Sequence, residues 1–130
     1  MTNTKREIKF RAWDKQLNII TDVVCLNLGT WNDVILVHPD SKIVHRQETY
    51  NQKTENIELM QFTGLLDKNG KEIYEGDMVW VCFNDGSLYD HPQQVYFEKG
   101  SFCVGMGYLS DSNIIEVIGS IYENPELIKD

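Results

Sequence analysis

The chain has 130 residues, of which 42% are apolar, and a formal net charge of −8. This length fits one domain or two small ones, and the apolar share is too high for an intrinsically disordered chain. The three cysteines, Cys25, Cys82 and Cys103, are odd in number and widely spaced, which argues against a disulfide framework and favours a reduced compartment. Cys82 and Cys103 lie in apolar runs, so we expect both in the core.

The negative charge belongs to the second half of the chain. Residues 1–60 carry eight Lys/Arg and eight Asp/Glu, whereas residues 61–130 carry four Lys/Arg and twelve Asp/Glu. Such a surface keeps a protein soluble and repels phosphate backbones at a distance. The alternative is an acidic face that meets a basic partner or mimics nucleic acid.

The sequence predicts neither a signal peptide nor a membrane-spanning segment. The first residues, MTNTKREIKF, lack the apolar stretch of a signal peptide. The longest apolar run, Met78–Phe83, is too short to span a bilayer. We therefore expect a soluble, cytoplasmic protein without membrane contact.

Short strands and turns are predicted throughout the first half. Ile8, Phe10 and Ala12 occupy alternate positions, which predicts a strand with one apolar face before a polar turn at residues 14–18. Further strands are predicted at Ile19–Leu26 (interrupted by Thr21 and Asp22), at Val34–Val37 and, shorter, at Lys42–His45. Residues 46–56, RQETYNQKTEN, have almost no apolar content and predict an exposed loop, the best candidate for a linker, with a short helix as the alternative.

The second half alternates more regularly. Turns are predicted at Asp67–Gly70, where Gly70 takes positive φ, at Glu75–Asp77, where Gly76 permits the bend and Asp77 accepts a backbone hydrogen bond, and at Lys99-Gly100. The predicted strands are Ile57–Phe62, Met78–Phe83, Gln94–Glu98, Ser101–Val104 and Ile114–Ile121, with a frayed helical turn at Glu126–Lys129. Met78–Phe83 has apolar residues on both faces, which predicts burial on both sides.

This pattern predicts an all-β protein built as a small barrel or sandwich. We divide it into a β-rich N-terminal region, residues 1–58, and a second domain, residues 59–130. No stretch shows sustained helical periodicity.

Four segments resemble the YopX-like proteins of bacteriophages and prophages, in matching order over nearly the whole chain. They are KFRAWDK at residues 9–15, LMQFTGL at 59–65, DKNGKEIYEGD at 67–77 and EVIGSIYENPEL at 116–127. Residues 28–56 match least. The resemblance implies a phage or prophage origin, hence the bacterial cytoplasm, and a small SH3-type barrel in the C-terminal half packed with the β-rich N-terminal part. It brings no catalytic residues, since the family has no established activity.

No motif predicts catalysis, a cofactor or a metal. The chain lacks G-x-S-x-G, a P-loop and G-x-G-x-x-G, and its G-x-G at residues 105–107 is isolated. The candidates are three histidines without ligand spacing (His38, His45, His91), a carboxylate group that matches no EF-hand loop (Glu72, Glu75, Asp77) and an Asp90-His91 pair near Ser87 or Ser101. We expect no catalytic, cofactor or metal site and a non-enzymatic protein.

Two surfaces are candidates for binding. Aromatic residues are dense after residue 73, and most must fill the core. We expect a few outside, in a peptide-binding groove or an oligomer contact: Trp80, Tyr89, Tyr96 and Tyr108. The other candidate is a basic N-terminal face for nucleic acid, formed by Lys5, Arg6, Lys9, Arg11 and Lys15, with Phe10, Trp13 and Tyr50 available for stacking.

The leading hypothesis is an accessory phage or prophage protein that acts through protein–protein contacts with an unknown host or phage partner or with itself as a homo-oligomer. A nucleic-acid-associated protein is the alternative, disfavoured by the negative charge. A small hydrolase would need a pocket that holds a carboxylate beside His91.

Overall fold

The computed structural model describes residues 6–29, 31–39, 48–83 and 85–128. Their regular structure is mainly strand, with short 3-10 turns that include Thr54–Asn56, Leu109–Asp111 and Pro125–Leu127, so the all-β prediction is confirmed. Within the described residues, no helix has the length and apolarity needed to cross a bilayer. The strands are β1 Phe10–Asp14, β2 Ile19–Asn27, β3 Asp33–Val37, β4 Thr49–Lys53, β5 Ile57–Leu66, β6 Glu72–Tyr74, β7 Asp77–Phe83, β8 Gln93–Glu98, β9 Ser101–Val104, β10 Gly107–Tyr108 and β11 Ser112–Ser120.

The described chain forms two compact units. Residues 9–61 make the N-terminal unit, and residues 6–8 together with 62–128 make the C-terminal unit. Strand β5 begins in the first and continues into the second. All strand pairs in both units are antiparallel, as expected where short connections join neighbouring strands.

The N-terminal unit is a sheet in the order β4-β3-β2-β1-β5. Strand β2 runs through Thr21 and Asp22, the two polar residues that interrupt its apolar pattern, and Thr21 Oγ1 donates to the Val37 carbonyl at 2.6 Å. A bulge in β2 between Val23 and Cys25 leaves Cys25 exposed. The core of this unit consists of Ala12, Val34, Leu36 and Ile57, with Val23, Leu26 and Tyr50 packed against it.

Strand β4 corrects the prediction of a loop over residues 46–56. It pairs with β3, and Tyr50 and Gln52 are its less exposed positions. The Tyr50 hydroxyl donates to Asp14 Oδ2 at 2.7 Å, and Gln52 Nε2 donates to the same oxygen at 3.2 Å. Because the inward positions are polar and meet a buried carboxylate, the strand lacks an apolar pattern. Residues 46 and 47, and the predicted strand Lys42–His45, lie outside the described residues.

The C-terminal unit contains a sheet in the order β10-β9-β8-β7-β11, and the second half of β5 pairs with β6. Its core consists of Ile73, Val79, Val81, Val95, Val104, Leu109 and Ile115, with Phe83, Tyr89, Phe102 and Val117 packed against it. Among the described residues the sheet ends at β10 and β11 without closing, so the SH3-type barrel is not confirmed. The turn at Lys99-Gly100 is as predicted, with φ of 50° and 81°.

The turn at residues 67–70 forms as predicted and reaches across the unit. Asp67 is buried, and its carboxylate accepts the N–H groups of Asn69 at 2.8 Å, Lys71 at 2.9 Å and Val117 at 3.0 Å. The Lys68 N–H donates to the Ile115 carbonyl at 2.8 Å. The turn thereby covers part of the outer edge of β11, which would otherwise expose unpaired backbone groups.

The turn before β7 is also as predicted. Gly76 has φ of 89°, and the buried Asp77 carboxylate accepts the Tyr74 N–H at 2.8 Å. The Gly76 N–H donates to the Val95 carbonyl at 2.7 Å, and the Gly76 carbonyl accepts the Ile121 N–H at 2.9 Å. Asp77 is therefore a structural residue that starts β7.

Candidate functional site

The C-terminal unit carries a cleft of about 410 Å³ beside the end of β7 and the turn between β9 and β10. It combines aromatic, acidic and small side chains. The lining residues are Phe83, Asp85, Ser87, Tyr89, Met106, Gly107 and Asp111.

Two aromatic rings form the apolar wall of this cleft. Phe83 and Tyr89 meet edge to face, with centroids 5.8 Å apart and planes at 66°. A Cβ at Gly107 would lie 2.8 Å from Cε1 of Phe83, and one at Gly105 would lie 2.6 Å from Cζ of Tyr89. Because real side chains do not approach so closely, the G-x-G at residues 105–107 is a packing requirement of the two rings.

Hydrogen bonds from two tyrosines hold the turn that carries these glycines. The Met106 N–H donates to the Tyr89 hydroxyl at 3.0 Å. The Tyr96 hydroxyl donates to the Gly105 carbonyl at 2.7 Å. Burial, followed by the nearby Cys103 and Glu98, raises the pKa of Tyr96. The cleft wall is therefore preformed.

Two exposed carboxylates give the cleft its charge. Asp85 Oδ1 accepts the Ser87 hydroxyl at 2.6 Å and the Ser87 N–H at 2.8 Å. These hydrogen bonds lower the pKa of Asp85. Asp111 contributes the second carboxyl group. No lysine, arginine or histidine is among the described residues that line the cleft.

One lining residue presents a large apolar side chain to solvent. Met106 is 96% exposed. Leu88 and Tyr108, which are 73% and 57% exposed, follow the lining residues Ser87 and Gly107 in the sequence. Met106 therefore offers exposed apolar surface at the cleft.

The four aromatic residues predicted at the surface have different positions relative to the cleft. Tyr89 lines the cleft, and Tyr108 follows the lining residue Gly107 in the sequence. The Tyr96 hydroxyl donates to the Gly105 carbonyl in the turn beside the cleft. Trp80 is 42% exposed but lies opposite Glu116 in the β7–β11 pair, apart from the lining residues. Its exposure means that β7 is not buried on both sides along its length, contrary to the prediction.

Comparison with known proteins places the chain in a family. The family model described as YopX protein matches residues 9–129. The chain belongs to the YopX family. This confirms the resemblance carried by the four segments.

Two solved structures are similar to this YopX-family chain. The crystal structure of protein EF1440 from Enterococcus faecalis is 26% identical, with a TM-score of 0.66, and the match covers 96% of this chain and 100% of that one. The structure of protein YopX from Bacillus subtilis is 23% identical, with a TM-score of 0.55 and coverage of 93% and 98%, and supports the fold alone. No curated protein matches the chain.

The structure describes four of the five candidate basic residues of this YopX-family protein, Arg6, Lys9, Arg11 and Lys15. Lys5 lies outside the described residues, and Arg6 is exposed in the C-terminal unit. In the N-terminal unit, Lys15 Nζ lies 3.1 Å from the Glu58 carboxylate. Lys9 and Arg11 are half-buried in the same unit, where Arg11 faces Asp22 across the β1–β2 pair.

The structure describes all three stacking candidates for nucleic acid. Phe10 and Trp13 are half-buried on β1, and the Tyr50 hydroxyl is bonded to Asp14. The nucleic-acid alternative stays a prediction, which electrophoretic shifts at low salt would test.

The polar groups considered for hydrolysis make local contacts. His91 Nδ1 lies 2.6 Å from Asp90 Oδ1, but the Asp90 side chain is 88% exposed. Ser87 Oγ donates to Asp85. Among the described residues, no group of three or more His, Cys, Asp or Glu is arranged to hold a metal ion. His45 lies outside those residues.

Sequence reasoning missed Phe83, Met106 and Asp85 as site residues. The available signal was the isolated G-x-G, which places a large flexible side chain, Met106, between two glycines. The aromatic rings that require those glycines come from a distant part of the chain, so the spacing alone does not reveal them.

Proposed function

We propose that this protein is a non-enzymatic interaction module that holds a segment of a partner protein in the cleft of the C-terminal unit. The observation that supports the proposal is the aromatic wall of Phe83 and Tyr89, which lines the cleft together with the exposed side chain of Met106. A cleft that is fixed before binding avoids the free-energy cost of ordering its own side chains. Aromatic residues and methionine are enriched where proteins contact one another.

The chemistry of the cleft supports binding in preference to catalysis. A serine nucleophile needs a base oriented toward its hydroxyl. The Ser87 hydroxyl instead donates to the exposed carboxylate of Asp85 and closes a local turn. The aromatic rings and the tyrosine hydroxyls are engaged in packing and in holding the turn at residues 105–107.

The proposal includes the finer expectations drawn from the sequence. The partner is a host or phage protein in the bacterial cytoplasm, or a second copy of the chain, and the protein originates from a phage or prophage. The C-terminal unit is an open variant of an SH3-type barrel. Its short strands joined by glycine turns, with positive φ at Gly76, Gly86 and Gly100, support that last point.

Site-specific photo-crosslinking in the bacterium that carries the gene tests the proposal. A benzophenone amino acid replaces Met106, and a control protein carries it at Leu17, which is 51% exposed in the N-terminal unit. We expect a distinct adduct from position 106 alone, and its mass reports whether the partner is another protein or a second copy. Ser87→Trp, which fills the cleft, should abolish that adduct. Equal labelling from both positions, or no adduct at position 106, contradicts the proposal.

A further inference from the structure

The described charged side chains on the lining of the cleft are both acidic. Asp85 and Asp111 lie on its lining, and residues 61–130 hold twelve acidic against four basic residues. One of those four, Lys68, forms an ion pair with Glu116 at 3.0 Å. A carboxylate or phosphate ligand would be repelled from this site, and a cation would be attracted.

The carboxylates have acceptor capacity for a ligand. Both hydrogen bonds from Ser87 go to Oδ1 of Asp85. An ionised carboxylate offers about four lone-pair positions on its two oxygens, so Oδ2 still accepts. A neutral apolar side chain seated here would remove solvent from an ionised group without replacing its hydrogen bonds, which is unfavourable.

The aromatic wall can contact both the charged group and the aliphatic stem of a cationic side chain. The negative face of an aromatic ring attracts an ammonium or guanidinium group, and the aliphatic stem of lysine or arginine packs against apolar surface. Phe83 and Tyr89 supply the rings. Met106, almost fully exposed, supplies a flexible apolar side chain that adapts to such a stem.

From this combination we infer that the cleft recognises an arginine or lysine side chain presented by an extended basic segment of a partner protein. The inference rests on the proposed interaction function and names the chemistry of the partner. Charge complementarity identifies the occupant: aromatic rings beside two carboxylates, without a cation among the described lining residues, match a basic side chain.

Selection from a displayed library of short random peptides tests this inference. The bait is the full chain, and the comparison baits are the double variant Asp85→Asn/Asp111→Asn and Glu126→Gln, a control that removes an exposed carboxylate of the same unit outside the cleft. We expect the wild-type protein to enrich peptides that contain arginine or lysine. The double variant should bind them at least about tenfold more weakly, since each lost charge-assisted contact contributes on the order of a factor of ten in affinity, and Glu126→Gln should bind them about as well as the wild type.

Two further measurements locate the contact. Replacing the arginine of a selected peptide by citrulline, which keeps the shape and removes the charge, should weaken binding about tenfold. Amide chemical shifts should change at Tyr89 and Met106. Circular dichroism melting checks that the double variant is folded, as expected for two exposed positions.

The outcomes separate the inference from the proposed function. Neutral or acidic peptides that bind and shift the same amides overturn the inference and leave the interaction function standing. Peptides that bind the double variant as well as the wild type also overturn it. If no peptide binds at the cleft, both fail. If light scattering shows a dimer that the double variant abolishes, the occupant is a second copy, and the choice of a different protein is overturned.

Discussion

Each of the two units buries a carboxylate at a turn, but the hydrogen-bond donors to the two carboxylates differ. In the N-terminal unit, Asp14 accepts the side chains of Tyr50 and Gln52 from β4, in addition to two backbone N–H groups. In the C-terminal unit, Asp67 accepts backbone N–H groups from its own turn and from β11. The hydrogen bonds to Asp14 depend on which side chains β4 carries. The hydrogen bonds to Asp67 come from backbone N–H groups and depend only on the course of the backbone. Side-chain identity therefore specifies the edge of one sheet, and turn geometry specifies the edge of the other.

The largest expected effect comes from removing the acceptor in the C-terminal unit. Asp67→Ala leaves three backbone N–H groups without their acceptor, and we expect a loss of about 3 kcal/mol in the free energy of unfolding. Urea unfolding measures it, and Asp85→Ala, at an exposed turn, serves as the control with a loss below about 1 kcal/mol. Hydrogen exchange at Val117 should accelerate. Equal losses in the two variants would contradict the role of Asp67.

The corresponding change in the N-terminal unit should cost less. Asp14→Asn keeps one acceptor oxygen but places an NH₂ group among donors, and we expect a loss of about 2 kcal/mol. Tyr50→Phe removes one of those donors and costs about 1 kcal/mol alone. In the double variant the losses should be less than additive, because both variants disrupt the same contact. Strict additivity would show that Asp14 and Tyr50 do not stabilise each other.

The glycines of the two units also differ, and this difference gives a smaller effect. Gly107→Ala forces a Cβ against the Phe83 ring, at 2.8 Å, so we expect a loss of about 1 to 2 kcal/mol and altered amide shifts around the cleft. Gly29→Ala is the control, since its Cβ would meet only Asn27 Oδ1 at 3.5 Å. Thermal melting of both variants measures the difference. If Gly107→Ala changed neither the stability nor the amide shifts, the Phe83 ring would be able to move away from the added Cβ.

The smallest expected effect is a loss of stability at low pH. Burial alone would raise the pKa of Asp14, but hydrogen bonds from Tyr50, Leu17, Gln52 and Gln16 outweigh it and lower that pKa. A carboxyl group with a lowered folded-state pKa stabilises the protein above its unfolded pKa, and that stabilisation is lost as pH falls through the folded value. We therefore expect stability to be constant from neutral pH to about pH 5 and to decline below about pH 4.

The same reasoning applies to Asp67, where burial is outweighed by backbone N–H groups, first that of Val117. Urea unfolding at several pH values measures how steeply the free energy of unfolding falls with decreasing pH, and Asp14→Asn should make that fall less steep. An unchanged slope would assign the acid sensitivity to other carboxyl groups.

Much of the fold could be predicted from local patterns. Alternation located β1, β3 and β7 to within about two residues, and the glycine turns before β7 and at Lys99-Gly100 form as expected. The prediction of a loop at the position of strand β4 was wrong. The inward residues of this strand, Tyr50 and Gln52, are polar, and their hydrogen-bond partner is Asp14 at the end of β1. The cleft was only partly predicted: exposed aromatics were expected after residue 73, but Phe83 and Met106 were not among them.

The sequence by itself determined that the chain forms short strands and where most turns fall, because side-chain period and the tolerance of glycine for positive φ act within a few residues. Only the tertiary structure decided which carboxylates are structural and which line a cleft. Asp67 and Asp85 look alike in the sequence, yet one accepts an N–H from a strand fifty residues away and the other lies in an exposed turn. Such roles depend on strand pairing across long separations, which no local pattern records.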